Sequence, residues 1–149
     1  MPEKETLERA AEDKREGKAP STQAGEFVRE EMDHIREGKH GAANTKQAIA
    51  IGLSKARRAG VDLPQPKKGR VSEKTRKQAA RDTKAGHSRK KKTVSAKRSR
   101  SSEAALKREP RSAASHKALS RQAKSAAKAR RKKGPVTASS RARNRRKAA

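Results

Sequence analysis

The chain has 149 residues, of which 40% are charged and 29% belong to the hydrophobic set, and it carries a formal net charge of +27 at neutral pH. So little apolar surface cannot offset the entropy of ordering the whole length, which excludes a large buried core and predicts disorder over much of the isolated chain. The absence of cysteine excludes disulfide scaffolds, thiolate metal sites and cysteine nucleophiles, and no apolar run approaches the ~20 residues of a membrane span.

The N-terminus, MPEKETLERAAEDKREGK, is acidic and lacks the apolar centre of a secretory signal, so a soluble cytoplasmic protein without membrane contact is expected. Residues 3–16 read as a first helix. Pro2 suits a helix start, Glu3, Glu5 and Glu8 favour the positive end of the helix dipole, and Gly17 supplies a stop. Residues 22–37 read as a second helix, with Ser21 or Thr22 as N-cap and Gly38 at the end. Its core-facing residues are Val28, Met32 and Ile35 at helical spacing, with Phe27, the chain's one aromatic residue, beside them.

Residues 45–59 read as a third helix. Asn44 and Gln47 resemble a capping box, Ile49 and Leu53 lie on the inner face, and Gly60 is the stop. The repeated Arg-Glu-Gly-Lys string at 15–18 and 36–39 then marks the close of one helix before the next begins. Three short helices over residues 1–62 make a small bundle of marginal stability. Pro64 and Pro66 make residues 63–69 a linker.

Residues 70–149 read as a disordered tail rich in Lys, Arg, Ala and Ser, so the fold class is mostly α with an unstructured extension. Two stretches in it, 102–109 and about 112–132, are candidates for helix once their charge is neutralised; Pro110 stops the first and Gly134-Pro135 the second. Residues 1–66 hold 12 Lys+Arg and 12 Asp+Glu, whereas residues 67–149 hold 31 against 4, so the whole net charge lies in the second part.

The strings GEFVREEM, REGKHGA and TKQAIAIGLSKARRAG, within about residues 2–66, resemble a family of small bacterial proteins carrying a domain of unknown function. The resemblance implies a bacterial, cytoplasmic setting and brings no site residues. The tail is similar in composition to the tails of linker histones and bacterial histone-like proteins.

A chain that barely encloses a pocket has no means of tuning an acid–base pair, so no catalytic residue and no cofactor are expected, and the protein is not read as an enzyme. Glu30 and His34 stand at i, i+4, with Glu37 and His40 nearby; this is read as a solvated polar face without a metal. The segment GKHGAANT offers Lys39, His40 and Gly41 as a candidate phosphate-binding turn before a helix. It lacks the Gly-apolar-Gly of a helix-hairpin-helix and is not a Walker A loop, and simple punctuation between helices is the preferred reading. A helix-turn-helix over 22–59 would present Lys46, Gln47, Ser54 and Lys55, but its connector is long for that motif and its surroundings are neutral.

The tail is the strongest signal. Its expected phosphate contacts are Lys67, Lys68, Arg70, Arg89, Lys90, Lys91, Lys92, Lys97, Arg98, Arg100, Arg130, Arg131, Lys132, Lys133, Arg141, Arg143, Arg145, Arg146 and Lys147. Without interleaved aromatic residues these cannot stack on bases, so binding should be sequence-nonspecific. DNA is the expected partner ahead of RNA, in a histone-like, nucleoid-associated role; the Arg-Ser alternation at 98–101 keeps an RNA or ribosome-associated role in view. The alternative is an interaction module whose helical unit docks a protein partner or a second copy while the tail tethers it to nucleic acid.

Overall fold

The computed structural model describes residues 2–88 and 95–132. In chain order the helices are α1 (Lys4–Arg15), α2 (Pro20–Glu37), α3 (Thr45–Arg58), α4 (Glu73–His87), α5 (Ala96–Arg108) and α6 (His116–Lys132), with a 3-10 turn at Arg111–Ala114. The chain forms two units, residues 1–115 and 116–149.

The Glu-Gly-Lys strings close α1 and α2 in the same way. Gly17 and Gly38 adopt left-handed φ of 73° and 80°. Their amides bond to Lys14 O and Ile35 O, and the following lysine amides reach back to Asp13 O and His34 O at 2.9 Å. This is the Schellman arrangement, which satisfies the last helical carbonyls and needs a residue without Cβ in the left-handed position. The repeat is thus a helix stop used twice, as the sequence suggests.

At the start of α3, Asn44 Oδ1 accepts from the Gln47 amide at 2.9 Å as the N-cap, and Gln47 Oε1 reaches back one residue beyond it to accept from the Ala43 amide, a variant of the capping box. The start of α2 differs from expectation. Neither Ser21 nor Thr22 is the cap: the helix begins at Pro20 after Ala19, with no side-chain cap. Proline at the first helical position has its φ already fixed and lacks only an amide that would have no helical partner.

The core is narrow and largely alanine. Phe27 is 1% exposed and Ile35 0%; Met32 is also buried, with Ala10, Ala24, Ala48, Ala56, Val61 and Leu63. Val28, Ile49 and Leu53, expected at the centre, are half-buried. Leu63, which the sequence places in the linker, is buried with Val61 in the Phe27 cluster. A Cβ on Gly52 would stand 2.8 Å from Val28 Cα and 3.0 Å from Val28 Cγ2, so glycine sets the approach of α3 to α2. Gly52→Ala is expected to cost about 1–3 kcal/mol by overpacking. Gly25→Ala, in the open on the same helix pair, should instead stabilise by about 0.5–1 kcal/mol. Thermal melts of the two variants shifting in the same direction would contradict this packing.

The expectation of three helices in the first unit is corrected: α4 and α5 belong to it too. Asp82, one of four acids in residues 67–149, is buried and docks α4 on α3. It accepts from Ser54 Oγ at 2.7 Å, Arg58 Nε at 2.8 Å and Gln78 Nε2 at 3.0 Å. Residues 106–114 lie along the α2–α3 connector. The Gly41 amide donates to Leu106 O, the Ala42 amide to Pro110 O, and Thr45 Oγ1 to Ala113 O at 2.7 Å. Ala113 and Ala114 are buried there. Small residues and polar clasps do this work, so a count of large apolar side chains misses it.

An unstructured tail from residue 70 onward therefore does not describe residues 73–88 and 96–132. Of the two candidate helical stretches, the first falls in α5, which ends before Pro110. The second splits into the 3-10 turn and α6. The expectation for residues 89–94 and 133–149 lies outside the described residues.

Candidate nucleic-acid interface

Lys67, Lys68 and Arg70 are exposed in the connector after α3, and Lys97, Arg98 and Arg100 are exposed on α5. In the second unit, Arg130 and Arg131 are exposed near the end of α6, and Lys132 is its last residue. Arg89, Lys90, Lys91, Lys92, Lys133, Arg141, Arg143, Arg145, Arg146 and Lys147 lie outside the described residues.

Helix formation sorts further cations, of which only Arg131 is among the contacts expected from the sequence. On α4, Lys74, Lys77, Arg81 and Lys84 recur at alternating three- and four-residue steps, which puts them on one helical face. All four are exposed, while Ala79 and Asp82 are buried on the opposite face. In α6, Lys117, Arg121, Lys124, Lys128 and Arg131 follow the same steps and are all exposed. Ala118, Leu119, Gln122, Ala126 and Ala127 are half-buried on its other side. At 1.5 Å per residue that stripe extends ~21 Å. For α4 the local sign of a helix was Ser72, its Oγ accepting from the Thr75 amide at 3.2 Å.

Three of the four acids in this region are paired: Glu73 with Arg76 at 3.2 Å, Glu103 with Lys107 at 2.9 Å, and Asp82 with Arg58. The first pair sits at the side of the α4 stripe and leaves its four cations facing outward.

The GKHGAANT turn is engaged within the chain. Lys39 Nζ lies 3.1 Å from Glu3 and 3.0 Å from Glu37, His40 Nε2 lies 3.1 Å from Glu31, and the Gly41 and Ala42 amides hold the 106–110 backbone. A Cβ on Gly41 would run into the Glu109 carbonyl, so glycine is required by that close approach. A phosphate at this turn would have to displace these partners. Of the residues considered for a helix-turn-helix, Lys46 is exposed; Ser54 and Lys55 are turned to Asp82 and to the Glu30/Glu31 pair.

Carboxylates around this turn sit in a strongly paired environment. Hydrogen bonds from His34 and then Lys39 hold the Glu3 carboxyl below its usual value. Burial pushes Glu30 up, but the Glu3 amide, the Thr6 hydroxyl and the Lys55 ammonium outweigh it and leave the carboxyl lowered. Burial lowers Arg57, against the attraction of Asp82.

Among the described residues no helix is long and apolar enough to cross a membrane. Residues 19–68 match the model of a family of unknown function, DUF6496. No curated protein and no solved structure matches. The matched segment holds α2, the connector and α3, and almost all of the basic part of the chain lies beyond it.

Proposed function

We propose that this chain, whose residues 19–68 carry the domain of that family of unknown function, binds nucleic acid without sequence preference, duplex DNA ahead of RNA, as a histone-like protein of a bacterial nucleoid. The observation that carries the reading is the segregation of charge, with 31 Lys+Arg against 4 Asp+Glu in residues 67–149. Such a density releases condensed counterions from a phosphate backbone on binding. The exposed stripes on α4 and α6 support it by offering cations at regular spacing. The lack of aromatic residues in this region directs contact to phosphate and sugar rather than to bases. No catalytic group is assigned.

One observation favours a second reading, in which the first unit docks a protein and the basic part only tethers it. The family match covers α2 and α3, whereas the charge lies mainly outside it. The experiment that tests the first reading is recovery of the protein from cells with and without nuclease. Co-purifying nucleic acid that spans unrelated sequences, and is lost with nuclease, is the expected result. A protein complex that survives nuclease, with no nucleic acid in the untreated sample, would favour the second reading.

A further inference from the structure

The sequence places Glu30 and His34 at i, i+4 with Glu37 and His40 nearby; the fold keeps Glu30 Oε1 3.9 Å from His34 Nδ1 and brings Glu31 and His40 to the same histidine. Glu31 and His34 stand at i, i+3 on α2, a Glu-x-x-His spacing that presents both side chains on one helical face. The left-handed turn at Gly38 brings His40 back beside them, with the His34 and His40 rings edge-to-face at 6.2 Å. One ligand atom from each of Glu31, His34 and His40 lies within 4.8 Å of the others.

Proton accounting points to a cation. His40 Nδ1 is 3.1 Å from Gly41 O, which can only accept, so that nitrogen carries hydrogen. Its Nε2 faces Glu31 Oε1 at 3.1 Å, also an acceptor. A neutral imidazole would place a lone pair against a carboxylate oxygen; a second proton or a metal ion is needed between them. At His34, Nε2 donates to Glu3 Oε1 at 2.9 Å, which leaves Nδ1 as the lone-pair nitrogen, 3.9 Å from Glu30 Oε1.

Glu31 supplies the independent sign. It is 0% exposed, a fully buried carboxylate whose Oε2 is paired with Lys55 Nζ at 2.7 Å and whose Oε1 faces His40 Nε2 at 3.1 Å. Each histidine is backed as metal-ligating histidines are, His34 by a carboxylate and His40 by a backbone carbonyl. Zinc bonds of ~2.0–2.2 Å put ligand atoms about 3.3 Å apart, close to the Glu31–His40 separation. The adjoining charges are Glu3, Glu30 and Glu37 with Lys39 and Lys55, so with Glu31 the carboxylates exceed the ammonium groups by two.

We propose that Glu31 Oε1, His34 Nδ1 and His40 Nε2 bind a divalent transition-metal ion of the zinc type, with water as a fourth ligand. Lys55 remains on the second oxygen of Glu31. The set of two imidazoles and one carboxylate suits zinc over magnesium or calcium, which prefer oxygen alone.

The test is titration of the metal-stripped full-length protein with zinc sulfate, followed by calorimetry and by the ring-proton resonances of all four histidines. One equivalent should bind and shift His34 and His40. His34→Gln and His40→Gln should abolish binding, and Glu3→Gln should weaken it about 10–100-fold. His87→Gln and His116→Gln should leave it unchanged. Because the wild-type resonances need no variant, the result stands even if a substitution loosens the fold. No bound equivalent, shifts confined to His87 or His116, or binding that persists in the His34→Gln/His40→Gln double variant would overturn the proposal.

Discussion

Replacing the six lysines and seven arginines of residues 116–149 by glutamine is expected to weaken duplex binding roughly 1,000-fold or more at about 0.1 M salt. These residues carry no acid among them, so the substitution removes close to half of the chain's net charge. If residues 67–149 neutralise ~10 phosphates in proportion to their 31 cations, about four contacts disappear, and each is worth nearly a decade at that salt by counterion release. Glutamine is a good helix former, so α6 need not be lost with its charge. No single member should matter: Arg131→Ala, at the end of the α6 stripe, should change affinity by about tenfold or less. Filter binding or fluorescence anisotropy on one duplex checks both. Retention of full affinity by the glutamine-substituted chain would place the contacts elsewhere.

The second large effect concerns stability. Phe27→Ala should destabilise the first unit by about 3–5 kcal/mol, most of what a domain of this size holds. Phe27 is 1% exposed and anchors a cluster otherwise built from Ala10, Ala24, Ala56, Val61 and Leu63, none of which can expand into the space it leaves. The melting midpoint should fall by at least about 12 °C. Leu7→Ala, at a side chain 41% exposed, should stay within about 0.5 kcal/mol of the parent. Equal midpoints for the Phe27 and Leu7 variants would remove Phe27 from the core.

The first three helices were legible because their ends are marked by local chemistry. Asn44 and Gln47 cap α3, and Gly17 and Gly38 close α1 and α2, all through bonds between neighbours in sequence. Helix α4 was not legible. Its contact with α3 depends on Ala79, on Asp82 and on Gly86, where a Cβ would collide with the Arg57 carbonyl. None of these is a large apolar residue, and Asp82 reads in sequence as one more exposed charge. The docking of residues 106–114 was hidden for a similar reason, since it runs through backbone amides of the connector and two alanines. Of the candidate interface, the excess of charge was plain, whereas its order into stripes on α4 and α6 follows only once those segments are helices. The cluster of Glu31, His34 and His40 depends on the turn at Gly38, which brings His40 over α2 in a way that spacing alone does not reveal.

The measurement that bears most directly on nucleic-acid binding by the basic part of the chain is a salt series of titrations on several unrelated duplexes, run for the full chain and for the chain with residues 116–149 neutralised. With ~10 phosphates engaged, log K should fall against log salt with a slope of roughly −9, so doubling the salt weakens binding roughly 500-fold. The neutralised chain should show a slope nearer −5, and neither should distinguish the duplexes. A flat response to salt, or a preference of ~1,000-fold for one duplex such as specific binders show, would contradict it.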